Sequence, residues 1–360
     1  MSLTKRERLR RAFWHEPVDH LPTQINYTDA IGKELARHFG VAITDLPTRL
    51  GNHLCRVDLP HKSEQGANAK VSYDWWGAGW DPDQEGYWLA DAPLGESTDL
   101  AAYPWPDPDA PGLLDDAASA IARDRASADP HFIVPNFGFC LFERAWSLRG
   151  FDTLMLDLGL DQPFVEDLLE RIIDIQVRLA RRFVAIGVDG GYFGDDYGAQ
   201  KGLLFSPETW RQLFKPRLAR VFAVFREAGL PVLMHSDGDI AKIVPDLVEI
   251  GLTALNPVQP EVLDHAWLKR AFGRSLAYYG GVSTQTVLPY GTPEEVRAAL
   301  RSAVTALAPE STGLLAAPSH RLTSDVPMAN VEALLAGFAE LASHDLDKPN
   351  DAEVASDDRS

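Results

Sequence analysis

The run Pro231-Val232-Leu233-Met234-His235-Ser236-Asp237-Gly238-Asp239 carries an apolar, strand-like stretch into an imidazole and two carboxylates. In extended chain His235 and Asp237 lie two residues apart and point to one face. A neutral imidazole beside a carboxylate suits a divalent metal or a proton-transfer pair. The same residues fit a plainer reading, with His235 a hydrogen-bonded strand end and Asp237 or Asp239 a cap on the next helix. A second run, Ala316-Ala317-Pro318-Ser319-His320, again delivers an imidazole from an apolar strand. If both strands open onto one mouth, His235, Asp237 and His320 form an open three-ligand set with room for water or substrate on zinc or another divalent metal. Such an ion polarises a substrate oxygen or lowers the pKa of a bound water. The competing reading is a metal-free pair of hydrogen-bonding histidines.

These side chains need a scaffold that brings distant strand ends together. From about residue 130 one rhythm repeats: a short apolar run, a polar or glycine-containing corner, then a helical pattern. The spacing predicts strands at 132–136, 190–196, 231–235, 254–259, 276–281 and 313–317, and a further one at 21–27. Gly238 predicts a sharp turn before a helix over 240–250. Ser206-Pro207-Glu208 predicts a helix running to about Arg226, and Thr292-Pro293-Glu294-Glu295 starts another. No GxGxxG follows an early strand, which removes the main support for an open dinucleotide-binding sheet. The expectation is a (β/α)8 TIM barrel, a single domain over 1–342 with an N-terminal helical and hairpin elaboration. Its active site belongs at the carboxyl ends of the strands. Those ends carry Asn136, Asp195 with Asp196, His235 with Asp237, Gln259, Gln285 and His320. Residues 71–94 alternate aromatics (Trp75, Trp76, Trp80, Tyr87, Trp88) with glycines, which predicts a hairpin packed on the body or walling a pocket. Residues 104–111 read as a proline-rich connector. Residues 343–360 are polar and acidic, a disordered tail by composition.

The 360 residues, 45% hydrophobic and 24% charged, describe an ordinary globular enzyme. A formal charge of −18 with no basic stripe disfavours nucleic acid and acidic membranes as partners. No apolar run approaches a membrane span and the N-terminus lacks a secretory core, so a cytoplasmic location is expected. Cys55 and Cys140 form no CxxC pair, so a thiolate zinc knuckle is not available. A homodimer is an open arrangement.

At the chemistry-bearing residues the chain resembles the superfamily that joins uroporphyrinogen decarboxylases to cobalamin-dependent methyltransferases. Asp195-Asp196-Tyr197-Gly198 leading to Ser206-Pro207-Glu208 looks like the superfamily's acidic strand end and "SPE" helix start, and Phe214-Lys215-Pro216 continues it. His235-Ser236-Asp237-Gly238 sits where the methyltransferases carry a His-x-Cys-Gly zinc motif. Gly280-Gly281-Val282-Ser283-Thr284-Gln285 is also similar. Ala317-Pro318-Ser319-His320 with Pro327-Met328-Ala329-Asn330 resembles the closing strand and "P-x-x-N" helix. Two departures matter. The arginine-rich segment that grips a polycarboxylated porphyrinogen is replaced by Leu21-Pro22-Thr23-Gln24-Ile25-Asn26-Tyr27, with no arginine. Asp237 and His320 stand at or near the positions of the methyltransferases' cysteine ligands, and a His/His/Asp set makes a stronger Lewis acid than a thiolate-rich one.

The resemblance with these departures implies a metal-dependent methyltransferase that moves a methyl group from a small methylated compound to a corrinoid, activating an oxygen-containing substrate such as a methoxylated small molecule or a hydroxy acid. The chain has no DxHxxG corrinoid-ligand motif, since Asp129-Pro130-His131-Phe132-Ile133-Val134 lacks the glycine, so any cobalamin belongs to a partner corrinoid protein. The alternative is a decarboxylase, a carbon–carbon lyase acting on a smaller carboxylated substrate; a non-catalytic ligand-binding barrel is the third reading. In the first reading Asp195 or Asp196 serves as general acid or anchors a substrate hydroxyl, and only one of two adjacent acids on a strand can face the pocket. Tyr197, Gln200 and Lys201 orient substrate or are loop polarity. Asn136, Gln259 and Gln285 suit neutral hydrogen-bond recognition or tie loops together. Glu143-Arg144 reads as an ion pair on a helix, with Glu143 within reach of the mouth. His53, His61, His131 and His265 read as ordinary surface or loop residues.

Overall fold

The computed structural model describes residues 2–60, 71–81, 88–160 and 162–343. Seven parallel strands follow one another in chain order around a curled sheet: β1 (Leu54–Val57), β2 (Phe132–Phe137), β3 (Gly191–Gly194), β4 (Val232–His235), β5 (Ala254–Asn256), β6 (Ala277–Val282) and β7 (Leu314–Pro318). Helices between them pack on the outer face, so the fold is a (β/α)8 barrel. His61, Tyr87 and residues 344–360 lie outside the described residues, and Ser343 ends the last helix, Met328–Ser343.

The eighth stave is the segment at 21–27, expected as a strand and observed as isolated bridges. Thr23 bridges both Asn52, just before β1, and Ala316 on β7. Pro22 has no N–H to give, and side-chain amides take over part of the ladder. Gln24 Oε1 accepts from the backbone N–H groups of His53 (3.2 Å) and Leu54 (3.0 Å). Asn52 holds both polar groups of the Ile25 backbone, at 2.8 and 2.9 Å.

The strand period of two divides the core in half. Leu54, Phe132, Val134, Tyr192, Leu233, Ala254, Ala277, Tyr279, Leu315 and Ala317 fill the barrel, while Phe193, Val232, Met234 and Leu255 face the helices. Helix α1 (Lys5–Phe13), capped by Thr4, inserts Leu9 and Phe13 into the bottom of the barrel. Burying each of these side chains is worth roughly 1.5–3 kcal/mol. Helix α1 thereby plugs the barrel from below, and a cavity lies at the carboxyl ends of its strands.

Three local expectations are corrected. The helix expected over 240–250 begins only at Val244, with Pro245 in its first turn, where the missing N–H costs nothing. The helix expected from Ser206 to Arg226 breaks at Phe214, because Pro216 starts a second helix, Lys215–Glu227. The aromatic segment forms a small three-stranded antiparallel sheet, Ser72–Tyr73, Gly79–Trp80 and Leu89–Asp91, tied to the body by Asp74 and Arg144 at 2.6 Å. No helix among the described residues is long and apolar enough to cross a membrane.

Candidate metal centre and its pocket

Inward alternation on β4 carries Leu233 into the barrel and His235 to its rim, and Asn256 lies beside His235 in register. The Asn256 amide donates from Nδ2 to the Tyr279 carbonyl at 2.9 Å, which leaves Oδ1 as an acceptor. That oxygen takes the Tyr192 hydroxyl at 2.8 Å and His235 Nδ1 at 2.7 Å. His235 therefore carries its proton on Nδ1 and turns the Nε2 lone pair to the pocket, the orientation a ligating histidine needs.

Asp237 follows on a loop fixed by backbone contact. Gly238 has φ +82°, and a Cβ there would lie 2.4 Å from the carbonyl carbon of Gly198. Only glycine allows the two chains to meet so closely. The Asp237 N–H donates to Asp196 Oδ1 at 2.8 Å. His235 Nε2 stands 3.7 Å from Asp237 Oδ1, and His320 Nε2 stands 3.8 Å from Asp237 Oδ2. The two imidazole rings are 5.6 Å apart. One donor atom from each of the three residues lies within 4.8 Å of the others. Tetrahedral zinc with bonds of about 2.0–2.1 Å sets its ligand atoms roughly 3.3 Å apart, so the set fits after side-chain movements of an ångström or so.

The electrostatics suit the same donor set. Loss of bulk water pushes His320 down to about 3, helped by His235, Arg321 and Arg56, so its imidazole is neutral. Burial pushes Asp237 up to about 6, with Asp196 adding to the rise and His235 opposing it. Glu143 is raised well above the usual glutamate value, first by burial and then by Asp196 and Asp195. The site thus combines two imidazole nitrogens, the Asp237 carboxyl group and, in Glu143, a carboxyl group that holds its proton more tightly than usual.

The two adjacent acids are separated by strand alternation. Asp196 continues the inward series Tyr192, Gly194 and lines the cavity. Asp195 points outward and is fully buried, and the expectation that it acts on substrate is corrected. Its carboxylate accepts from the backbone N–H groups of Leu141 (2.9 Å) and Glu143 (2.8 Å) and from the Tyr197 hydroxyl (2.9 Å), capping the helix Phe142–Arg149. Tyr197, expected at the substrate, is buried among Phe142, Phe205, Trp210 and Phe214. Gln200 and Lys201 are exposed at a hairpin turn, and Gln285 is exposed on a loop. Gln259 is buried under the Asp237 loop, where its Oε1 lies 3.4 Å from the Gly238 nitrogen. Asn136 does line the cavity, with Nδ2 on Asp58 Oδ1 at 2.7 Å. Glu143 faces the cavity, while Arg144 pairs with Asp74 rather than with its neighbour. His53 is a buried residue, not a surface one, with Nε2 3.0 Å from Arg8 Nη1.

Sequence reasoning missed Arg56, Arg321, Tyr192 and Asn256. Arg56 lies over the Tyr192 ring at 4.2 Å and donates to its hydroxyl at 3.0 Å, and with Arg321 it lines the cavity.

A profile of the family described as Uroporphyrinogen decarboxylase (URO-D) matches residues 81–340. The chain belongs to the uroporphyrinogen decarboxylase family. No curated protein matches the sequence. Among solved structures, a methyltransferase from Methanosarcina mazei aligns with TM-score 0.70 and 21% identity over 94% of this chain and 99% of that one. A B12-independent methionine synthase from Shewanella sp. W3-18-1 aligns with TM-score 0.44 and 15% identity over 65% and 67%. The first likeness establishes the barrel fold for this member of the uroporphyrinogen decarboxylase family.

Proposed function

We propose that this member of the uroporphyrinogen decarboxylase family is a metal-dependent methyltransferase that moves a methyl group from a small methoxylated compound to a corrinoid carried by a separate protein. The observation that carries the reading is the convergence of His235 Nε2, His320 Nε2 and the Asp237 carboxylate, with the His235 tautomer fixed from behind by Asn256. Family membership and the M. mazei methyltransferase support it. His235, Asp237 and His320 would hold a divalent ion, which when bound would supply Lewis acidity toward the ether oxygen of the substrate.

The chain's own residues supply the rest. The methyl carbon would form its new bond with an electron pair offered by the partner protein's reduced corrinoid, while the C–O bond breaks and leaves its own pair on the substrate oxygen. Glu143, kept protonated by burial and by neighbouring carboxylates, donates the proton that this oxygen takes up. Asp196 fixes the Asp237 loop, and α1 closes the far end of the barrel.

One observation favours a second reading. Arg56 and Arg321 line the same cavity and suit a substrate carboxylate, as a carbon–carbon lyase would require. The deciding experiment measures bound metal in the wild type, His235→Ala and His320→Ala, together with methyl transfer to a corrinoid protein and CO2 release. Metal lost in both variants along with methyl transfer is the expected result. Equal metal in all three proteins overturns the triad, and CO2 release without methyl transfer selects the lyase.

A further inference from the structure

Two cavities meet above the strand ends. One of about 140 Å3 lies over His235, Asp196 and His320. The other, of about 700 Å3, extends from it toward the small antiparallel sheet and falls in the range of small-molecule sites. Arg56, Asn136, Gly138, Phe139 and Arg321 line both. The larger cavity is walled by Trp75, Trp76, Trp80, Phe137 and Phe139, an aromatic side that the proposed chemistry does not itself require.

Phe139 is the residue at the junction that the fold strains to place. Its φ is +58°, in the left-handed region that bulky side chains rarely enter. The bends on both sides are pinned, by Gly138 N–H on Asn136 Oδ1 at 3.2 Å and by Cys140 N–H on the Gly194 carbonyl at 2.8 Å. The ring is braced against Trp80 at 5.0 Å and Trp146 at 5.3 Å. Strain of this kind concentrates where a ligand is gripped. Arg56 and Arg321 stand at the same junction, between the aromatic wall and the His235 rim.

We infer that the substrate is a planar aromatic acid: its ring lies against Phe139 and the tryptophan wall, its carboxylate meets Arg56 and Arg321, and its reacting substituent reaches the His235, Asp237 and His320 corner. The inference rests on the site assigned above but not on the direction of its chemistry. Ring stacking at 4.5–7 Å centroid spacing selects arenes over saturated rings of the same size, and the guanidinium fork selects the carboxylate.

Calorimetric titration of the full chain with 4-methoxybenzoate, cyclohexanecarboxylate and methoxyacetate tests this. The arene binds about fivefold to tenfold tighter than the saturated ring acid. Phe139→Leu narrows that preference to about twofold to threefold, with the tryptophan side of the wall still in place, whereas Arg56→Gln weakens both ring acids about tenfold. The comparison of probes on wild-type protein stands even if a variant fails to fold. Equal binding of arene and saturated acid, or no binding of either, overturns the substrate class. Arene binding with no methyl transfer leaves the substrate class standing and removes the methyltransferase reading. Methyl transfer from methoxyacetate without arene binding does the reverse.

Discussion

Replacing Asn256 by leucine should separate the geometry of the candidate metal centre from its bare composition. Asn256 is not one of the three proposed ligands, yet its Oδ1 holds the His235 Nδ1–H at 2.7 Å while its Nδ2 is committed to the Tyr279 carbonyl at 2.9 Å. Leucine removes both contacts, frees the imidazole to rotate or change tautomer, and strands the buried Tyr279 carbonyl. Loss of such an outer hydrogen bond weakens metal affinity about 10–100-fold, or roughly 1.4–2.8 kcal/mol. The stranded carbonyl costs about 1–3 kcal/mol of stability independently. Asn256→Asp distinguishes the two losses, because a carboxylate still accepts from His235 but repels the Tyr279 oxygen. Zinc titration of metal-free protein against a chromophoric chelator, with urea unfolding alongside, should show Asn256→Asp binding zinc at least as well as the wild type while being less stable. If Asn256→Leu binds zinc within about threefold of the wild type, the assigned tautomer and the centre built on it are wrong.

Glu143→Gln should lower methyl transfer about 10²–10⁴-fold at unchanged metal content, and the wild-type rate should fall as pH rises through the raised Glu143 pKa, a limb absent from the variant. Asp195 is pushed up to about 7, first by burial, so the folded chain holds a proton that the unfolded chain has released between about pH 4 and 7. Its contribution is thus fully present below pH 4 and lost as pH rises through 7, at up to about 1.4 kcal/mol per pH unit. Urea unfolding of Asp195→Asn should lack that slope and should be roughly 1–3 kcal/mol less stable at pH 8, where an amide NH2 faces a backbone N–H. Gly238→Ala should cost roughly 2 kcal/mol or more and reduce bound metal, because its methyl meets the Gly198 backbone and moves Asp237; calorimetric melting and metal analysis measure the two effects.

The barrel was legible because each strand from residue 132 onward is an apolar run with a polar or glycine terminus, and that rhythm survives without tertiary knowledge. The His235, Asp237 and His320 corner was legible for the same reason, since barrel closure makes strand ends neighbours. Alternation allowed only one of Asp195 and Asp196 to face inward, and the inward series of Tyr192 settles which. The amide behind His235 was missed because β5 is only three residues long, so the strand end is Asn256 and not Gln259. Arg56 was hidden in β1, where Leu54-Cys55-Arg56-Val57 is too short and mixed to register as an apolar run. Glu143 could be placed within reach of the mouth from its position after the Asn136 strand, but the Asp195 carboxylate that fixes its backbone from 52 residues away is a contact that local patterning cannot encode.

The stave made of residues 21–27 leaves a seam in the cylinder, and the pocket straddles it. Arg56 rises from the strand on one side, and His320 with Arg321 from the loop just past the strand on the other. A molecule gripping both flanks works as a hoop, so its binding energy is added to the joint held by side-chain amides rather than by a regular ladder. Hydrogen exchange at Gln24 and Ala316, whose amides cross that joint, should slow more on ligand loading than exchange in the continuous strands opposite.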